Sequence, residues 1–203
     1  MNSNVLALLK LGQNWRVACQ TSKMLATPPR RFAALICICT CALAVPPSAE
    51  AAVTTKDIQV AGRILGFTTT PLTGNVKMGI AYDPSNARSL ADERALLGIL
   101  GSGLQVGNVT LLPVPITISK ITTTPADILF LTTGLGPEAA KVGAQAAAAK
   151  ILCITTDLSA TLAGHCAVSV QTAPSVEITI NTATAAASGI DFESAFMLMI
   201  TEI

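Results

Sequence analysis

Apolar residues fall into two regimes along this chain. Residues 32–45, FAALICICTCALAV, form one unbroken stretch of 14 apolar and small side chains. From residue 52 onward apolar positions come in short runs whose period changes from segment to segment, as in a folded domain. Residues 54–68, TTKDIQVAGRILGFT, open on a Thr cap and an acidic first turn, and Ile58, Ala61, Ile64 and Leu65 recur at helical spacing. A turn-rich break at 68–74 precedes a strand at 77–83 that ends in Asp83-Pro84. Residues 87–104 place Leu90, Leu96, Leu97 and Leu100 among charges, an amphipathic helix that frays at Gly101, Gly103 and Gly107. A second strand covers 108–116, and Pro113 and Pro115 put that part at a sheet edge or beyond the sheet.

The run 126–132, ADILFLT, is apolar on both faces and reads as a buried strand. Gly134-Leu135-Gly136-Pro137 opens an Ala-rich helix that runs to Lys150, and 151–155 is another apolar strand. A short turn or helix at 158–164 leads to a strand at 166–170. Residues 175–181, SVEITIN, alternate as an antiparallel strand does. The tail from Thr182 reads as helical with a break near Gly189, its last part packing on the sheet. This order predicts a single α/β domain. Its mixed sheet starts parallel and ends in antiparallel strands, with helices on both faces. No internal repeat is visible.

The long apolar run changes the picture of the first 51 residues. Arg30 and Arg31 precede it, Pro46 and Pro47 follow it, and Ala49-Glu50-Ala51 forms an A-x-A cleavage site. These are the parts of a secretory signal peptide. Fourteen residues fall short of the roughly 20 that span a bilayer. A leader at 24–51, starting from Met24, has an ordinary length, which makes 1–23 an over-long start or a disordered extension. The expected mature chain is 52–203, periplasmic, cleaved near Ala51. Only the arginine pair matches a twin-arginine signal, and Cys37, Cys39 and Cys41 lack a lipoprotein context.

The mature chain carries eight Lys/Arg against eleven Asp/Glu, a net charge of −3. A nucleic-acid or anionic-membrane partner needs a basic face, so both are disfavoured. Its aromatic residues are Phe67, Tyr82, Phe130, Phe192 and Phe196, a scarcity that disfavours a sugar- or base-stacking site.

Cys153 and Cys166 are the cysteines that survive cleavage. In an oxidising compartment the pair favours a disulfide over two buried thiols. Thr133, Gly134 and Gly136, after a strand and at a helix start, have the layout of an anion-binding turn, although tight strand-to-helix turns favour glycine anyway. His165, the single histidine, could pair with Cys166 as a thiol catalyst or with both cysteines around a metal. The disulfide is the simpler use of those sulfurs. Asp83 and Asp157 both follow strands, where a polar pocket or an ordinary helix cap would place them. No nucleophile elbow and no paired acid and base stand out. The expectation is a protein that is not an enzyme, without cofactor or metal.

From Ala126 onward the order ADILFLTTG, ILCITTD, LAGHCAVSV, SVEITIN and TATAAASGIDFESAFMLM resembles the YfiR/HmsC family of periplasmic proteins. Asp157 matches the Asp of the family's Val-Leu-Thr-Val-x-Asp segment, and Gly164 one glycine of its Gly-Gly-Met-Ile strand, with His165 in place of the other. Residues 177–181 match its Phe-Glu-Ile-Asn strand, and Ala187, Ser188, Gly189, Ile190 and Ser194 match its tail. In the first half, Phe67 is followed by Thr68-Thr69-Thr70-Pro71 where the family carries Phe-x-x-Trp-Pro, without the Trp. The resemblance implies an α/β regulator with no catalytic residues. Such a protein binds the periplasmic domain of a membrane-bound diguanylate cyclase and lowers cyclic di-GMP, and so biofilm. A homodimer stays open, as does an alternative of another class, a periplasmic small-anion or solute-binding domain.

Overall fold

The computed structural model describes residues 52–203. The leader and the extension before it lie outside the described residues. Thr54 caps the first helix, α1 (Thr55–Ile64). Its hydroxyl accepts the Asp57 N–H, and the Asp57 carboxylate accepts the Thr54 N–H at 2.8 Å, a reciprocal capping box. A 3-10 turn at Leu65–Phe67 ends it. The nine-residue strand β1 (Gly74–Tyr82) follows, then α2 (Ala87–Leu100), capped by Asn86.

The predicted helix at 87–104 stops at Leu100, because Gly101 takes φ +53°. Residues Leu104–Val106 form a strand instead, β2. It turns through Gly107-Asn108 into β3 (Val109–Thr117), with Val106 opposite Val109. A two-residue hairpin loop needs positive φ, and Gly107 supplies it at +58°. β2 pairs only with Val109, Thr110 and Leu111, so Pro113 and Pro115 sit where one side of β3 has no partner strand.

The chain continues through β4 (Ile128–Leu131), α3 (Glu138–Ala148), β5 (Leu152–Thr155), α4 (Leu158–Leu162), β6 (Val168–Gln171) and β7 (Glu177–Ile180). It ends with α5 (Thr182–Ala187), α6 (Ser194–Met197) and β8 (Thr201–Glu202). The eight strands form one sheet in the order β2-β3-β1-β4-β5-β6-β7-β8. β3, β1, β4, β5 and β6 are mutually parallel, while β2 runs antiparallel to β3 and β7 antiparallel to β6. The tail, read as helical to its end, closes instead as β8, parallel to β7. Pairing there satisfies backbone groups that β7 would otherwise expose as an edge.

Two apolar layers sandwich the sheet. Ile58, Ala61, Ile64 and Leu65 at α1 and Leu96 and Leu100 of α2 pack with Met78, Ile80 and Phe130 on one face. On the other, Ala139, Val142 and Ala146 of α3 and Ala160 of α4 pack with Leu129, Leu131 and Cys153. Helices therefore lie on both faces, as the alternation of elements predicted. No helix among the described residues is long and apolar enough to cross a membrane.

Cys153 on β5 and Cys166, two residues before β6, are joined in a disulfide with Cα atoms 5.0 Å apart, both buried. The sulfurs are thus tied to each other rather than to His165 or a metal.

Candidate functional site

In open parallel sheets, ligands bind beyond the carboxyl ends of the strands where the strand order reverses. Here the reversal lies between β1 and β4, and side chains of α2 close that crevice. Asn86 Nδ2 donates to the Gly134 carbonyl at 2.8 Å, while its Oδ1 accepts the N–H groups of Arg88 and Ser89. The Thr132 hydroxyl donates to the Ala81 carbonyl at 2.8 Å, so the Ser89 hydroxyl donates to Thr132 Oγ1 at 2.7 Å and accepts the Asp83 N–H. Asp92 Oδ2 accepts both the N–H and the hydroxyl of Thr133, at 2.9 and 2.6 Å. Ser89, Asp92, Thr132 and Thr133 are all buried.

This network places the turn residues Thr133, Gly134 and Gly136 together at the start of α3, with both Thr133 donors directed at an internal carboxylate. Gly134 and Gly136 adopt φ +79° and +53°, and a Cβ on Gly134 would stand 2.9 Å from Asn86 Oδ1. The glycines therefore serve the close approach of turn and helix. The sequence reading missed Asn86, Ser89 and Asp92. Asn86 was legible as a cap just before the apolar period of α2, but its second bond to Gly134 was not. Asp92→Ala should leave two buried Thr133 donors unpaired and lower unfolding stability by about 2 kcal/mol or more, read from urea titrations of variant and parent.

Asp83 and Asp157 end β1 and β5 and are separated by β4. Asp83 Oδ1 accepts the hydroxyl and the N–H of Ser85, at 2.7 and 2.8 Å, which hold its carboxyl below the ordinary aspartate range. Asp157 caps α4 through Ser159 N–H and Oγ at 2.9 and 2.6 Å. A cavity of about 250 Å³ opens beside Asp157, bounded also by Thr54, Asp57, Thr156 and Thr172. Both Asp57 oxygens are engaged, Oδ2 by Thr54 and Oδ1 by the Thr172 hydroxyl at 2.7 Å. The caps and turns engage the carboxylates of this rim, while the Thr156 hydroxyl is buried without a hydrogen-bond partner.

The other feature is apolar. The end of α1 is clipped to the C-terminal segment by one antiparallel bridge made of two backbone hydrogen bonds. Thr68 bridges Phe192, Thr69 N–H donates to Asp191 O at 2.9 Å, and Glu193 N–H donates to Phe67 O at 2.8 Å. The clip stacks Phe67 on Phe196, with ring centroids 4.7 Å apart and planes 1° from parallel, and Phe192 tilts against Phe196 at 5.8 Å. Three of the five aromatic residues of this domain thus meet in one place. Beside them lies a groove of about 350 Å³ lined by Lys56, Val60, Arg63, Phe67, Val176 and Phe196, among others. Phe67 and Val176 are 37% and 50% exposed, and Leu198 and Met199, just after α6, are 89% and 70% exposed. Phe67 and Val176 supply the exposed apolar part of this groove, the kind of patch that marks an interaction surface.

No family model matches the chain, and no curated protein matches it. Among solved structures it is similar to the ligand-free, open structure of CD0873, a substrate binding protein with adhesive properties from Clostridium difficile. The TM-score is 0.54 at 13% identity, over 75% of this chain and 60% of that one. A conserved domain protein from Vibrio cholerae O1 biovar El Tor is similar at a TM-score of 0.49 and 13% identity, over 73% of this chain and 59% of that one. The chain spans about three fifths of the length of each. What it shares with CD0873 at this identity is the α/β fold.

Proposed function

We propose that this chain is an exported regulatory binding protein that docks the periplasmic domain of a membrane-bound diguanylate cyclase and restrains it. The observation that carries this reading is the exposed apolar face around the Phe67–Phe196 stack. It combines with the resemblance of the C-terminal half to the YfiR/HmsC regulators. The closed crevice between β1 and β4 favours a surface over a ligand-filled cleft as the seat of function. A solute-binding role is the second reading. The fold shared with a substrate binding protein speaks for it.

Deleting the gene should raise cyclic di-GMP and thicken biofilm, and a plasmid copy should restore the parental level. A copy carrying Leu198→Glu and Met199→Glu should fail to restore it. Both positions are exposed, so folding should be little disturbed. Unchanged cyclic di-GMP in the deletion strain across several growth conditions, with micromolar binding of a small anion by the purified protein, would hand the function to the second reading. Export carries its own check. N-terminal sequencing of the secreted protein should find a start within a few residues of Ala52, and retention of Met1 or Met24 would contradict it.

A further inference from the structure

A further cavity lies on the opposite face of the sheet from α1 and shares no lining residue with the groove beside Phe67. It measures about 650 Å³, within the range of small-molecule sites. It exists because of how the chain returns from β3 to β4. That crossover contains only a 3-10 turn, Ile118–Lys120, and a loop in place of an α-helix. α3 covers the neighbouring strip of sheet, and the space between α3 and the loop stays open. Ile116, Ala126 and Leu129 form the floor, packed over Gly79 of β1. A Cβ there would stand 2.7 Å from Ile116 Cδ1 and 2.9 Å from Ala126 Cβ. Ile121 and the threonines at 122–124 form one wall, and Gln145, Ala146 and Ile151 the other.

Two properties define what fits. Every residue lining the cavity is uncharged, so an ion would lose its hydration without a counter-charge. One polar group beside the wall is left over: the side-chain oxygen of Gln145, a lining residue, has no hydrogen-bond partner and is shielded from solvent, so a ligand in the cavity reaches it once the Gln145 amide turns toward the open side. A desolvated acceptor gains from a ligand that brings a donor and loses when only apolar surface covers it. We infer that this cavity binds a neutral, mainly apolar small molecule that donates one O–H or N–H hydrogen bond to Gln145. The inference does not depend on the proposed cyclase partner.

A matched pair of probes tests it. 2-Naphthol carries the donor, and 2-methoxynaphthalene has the same body without it. Each is titrated into the isotope-labelled, purified natural protein and followed by amide NMR. 2-Naphthol should shift the amides of 121–126 and 145–151 saturably and bind about tenfold more tightly than the methyl ether, the worth of one buried neutral hydrogen bond. Gln145→Leu should bring the two affinities together. Ile121→Trp, which fills the cavity from its wall, should weaken both. Equal affinity of the two probes for the parent protein would overturn the inference without any variant. So would saturable shifts confined to the Phe67–Phe196 groove, or no saturation up to the solubility limit.

Discussion

Gly143→Ala is expected to destabilise this domain by about 3 kcal/mol or more, at the upper end of overpacking costs. In an exposed helix the same change is favourable by roughly 0.5–1 kcal/mol, because alanine has the better helix propensity. The sign reverses here because α3 lies directly on the backbone before β6. A Cβ on Gly143 would collide with the carbonyl oxygen of His165 and crowd its carbonyl carbon at 2.8 Å. No rotamer relieves a contact between a Cβ and a backbone carbonyl, so helix or strand must move. Gly98 in α2 is the internal control, since it is exposed and a Cβ there meets nothing within 4 Å. Thermal melts should move in opposite directions. Gly98→Ala should raise Tm by a degree or more, and Gly143→Ala should lower it by roughly 6–12 °C at the 2–4 °C per kcal/mol of a domain this size. Equal shifts of the same sign would show that α3 does not sit on the His165 backbone.

Removing the disulfide acts on the same segment. Cys153→Ala with Cys166→Ala should cost about 2–5 kcal/mol, measured by urea unfolding against the oxidised parent. The cross-link closes a 13-residue separation that includes α4. By the chain-entropy estimate such a loop restricts the unfolded chain by about 3 kcal/mol. Both sulfurs are also buried in the layer beneath α3 and α4, so their loss removes packing besides the cross-link. Thiol labelling of native, unreduced protein should find neither Cys153 nor Cys166 reactive, and reduction under denaturing conditions should expose both. The two perturbations should also couple. Without the bridge, the backbone at His165 and Cys166 can yield to a Cβ on Gly143. Gly143→Ala should therefore cost less in the disulfide-free protein, by an interaction energy of about 0.5–3 kcal/mol.

The residues of the candidate site differ in how far apart their partners lie. The cap at Asp157 was legible because its partner, Ser159, is two residues away. The Thr54–Asp57 capping box was legible for the same reason. The closure of the crevice was not. Asp92 meets Thr133 across 41 residues and Asn86 meets Gly134 across 48. Nothing in either local pattern states that a glycine turn suited to an anion will face an aspartate of its own chain. The apolar face was hidden more completely. Phe67 ends the first helix and Phe196 lies in the last, and each alone reads as core.

By itself the sequence determined the mixed α/β class, the order of the helices and strands apart from the two edge strands, and the pairing of Cys153 with Cys166. These depend on hydrophobic period, turn residues and short-range caps, which act over a few residues. Tertiary structure decided three other matters. The edges β2 and β8 replaced helix because glycine dihedrals and an open neighbouring strand outweighed a helical pattern. The crossover from β3 to β4 left a cavity that no local motif encodes. The clip between residues 67–69 and 191–193 gathered scattered aromatic rings into one cluster, with Phe67 exposed beside the groove and Phe196 buried under it. In each case the deciding contacts join segments far apart in the chain, and local propensity carries no information about which of them will meet.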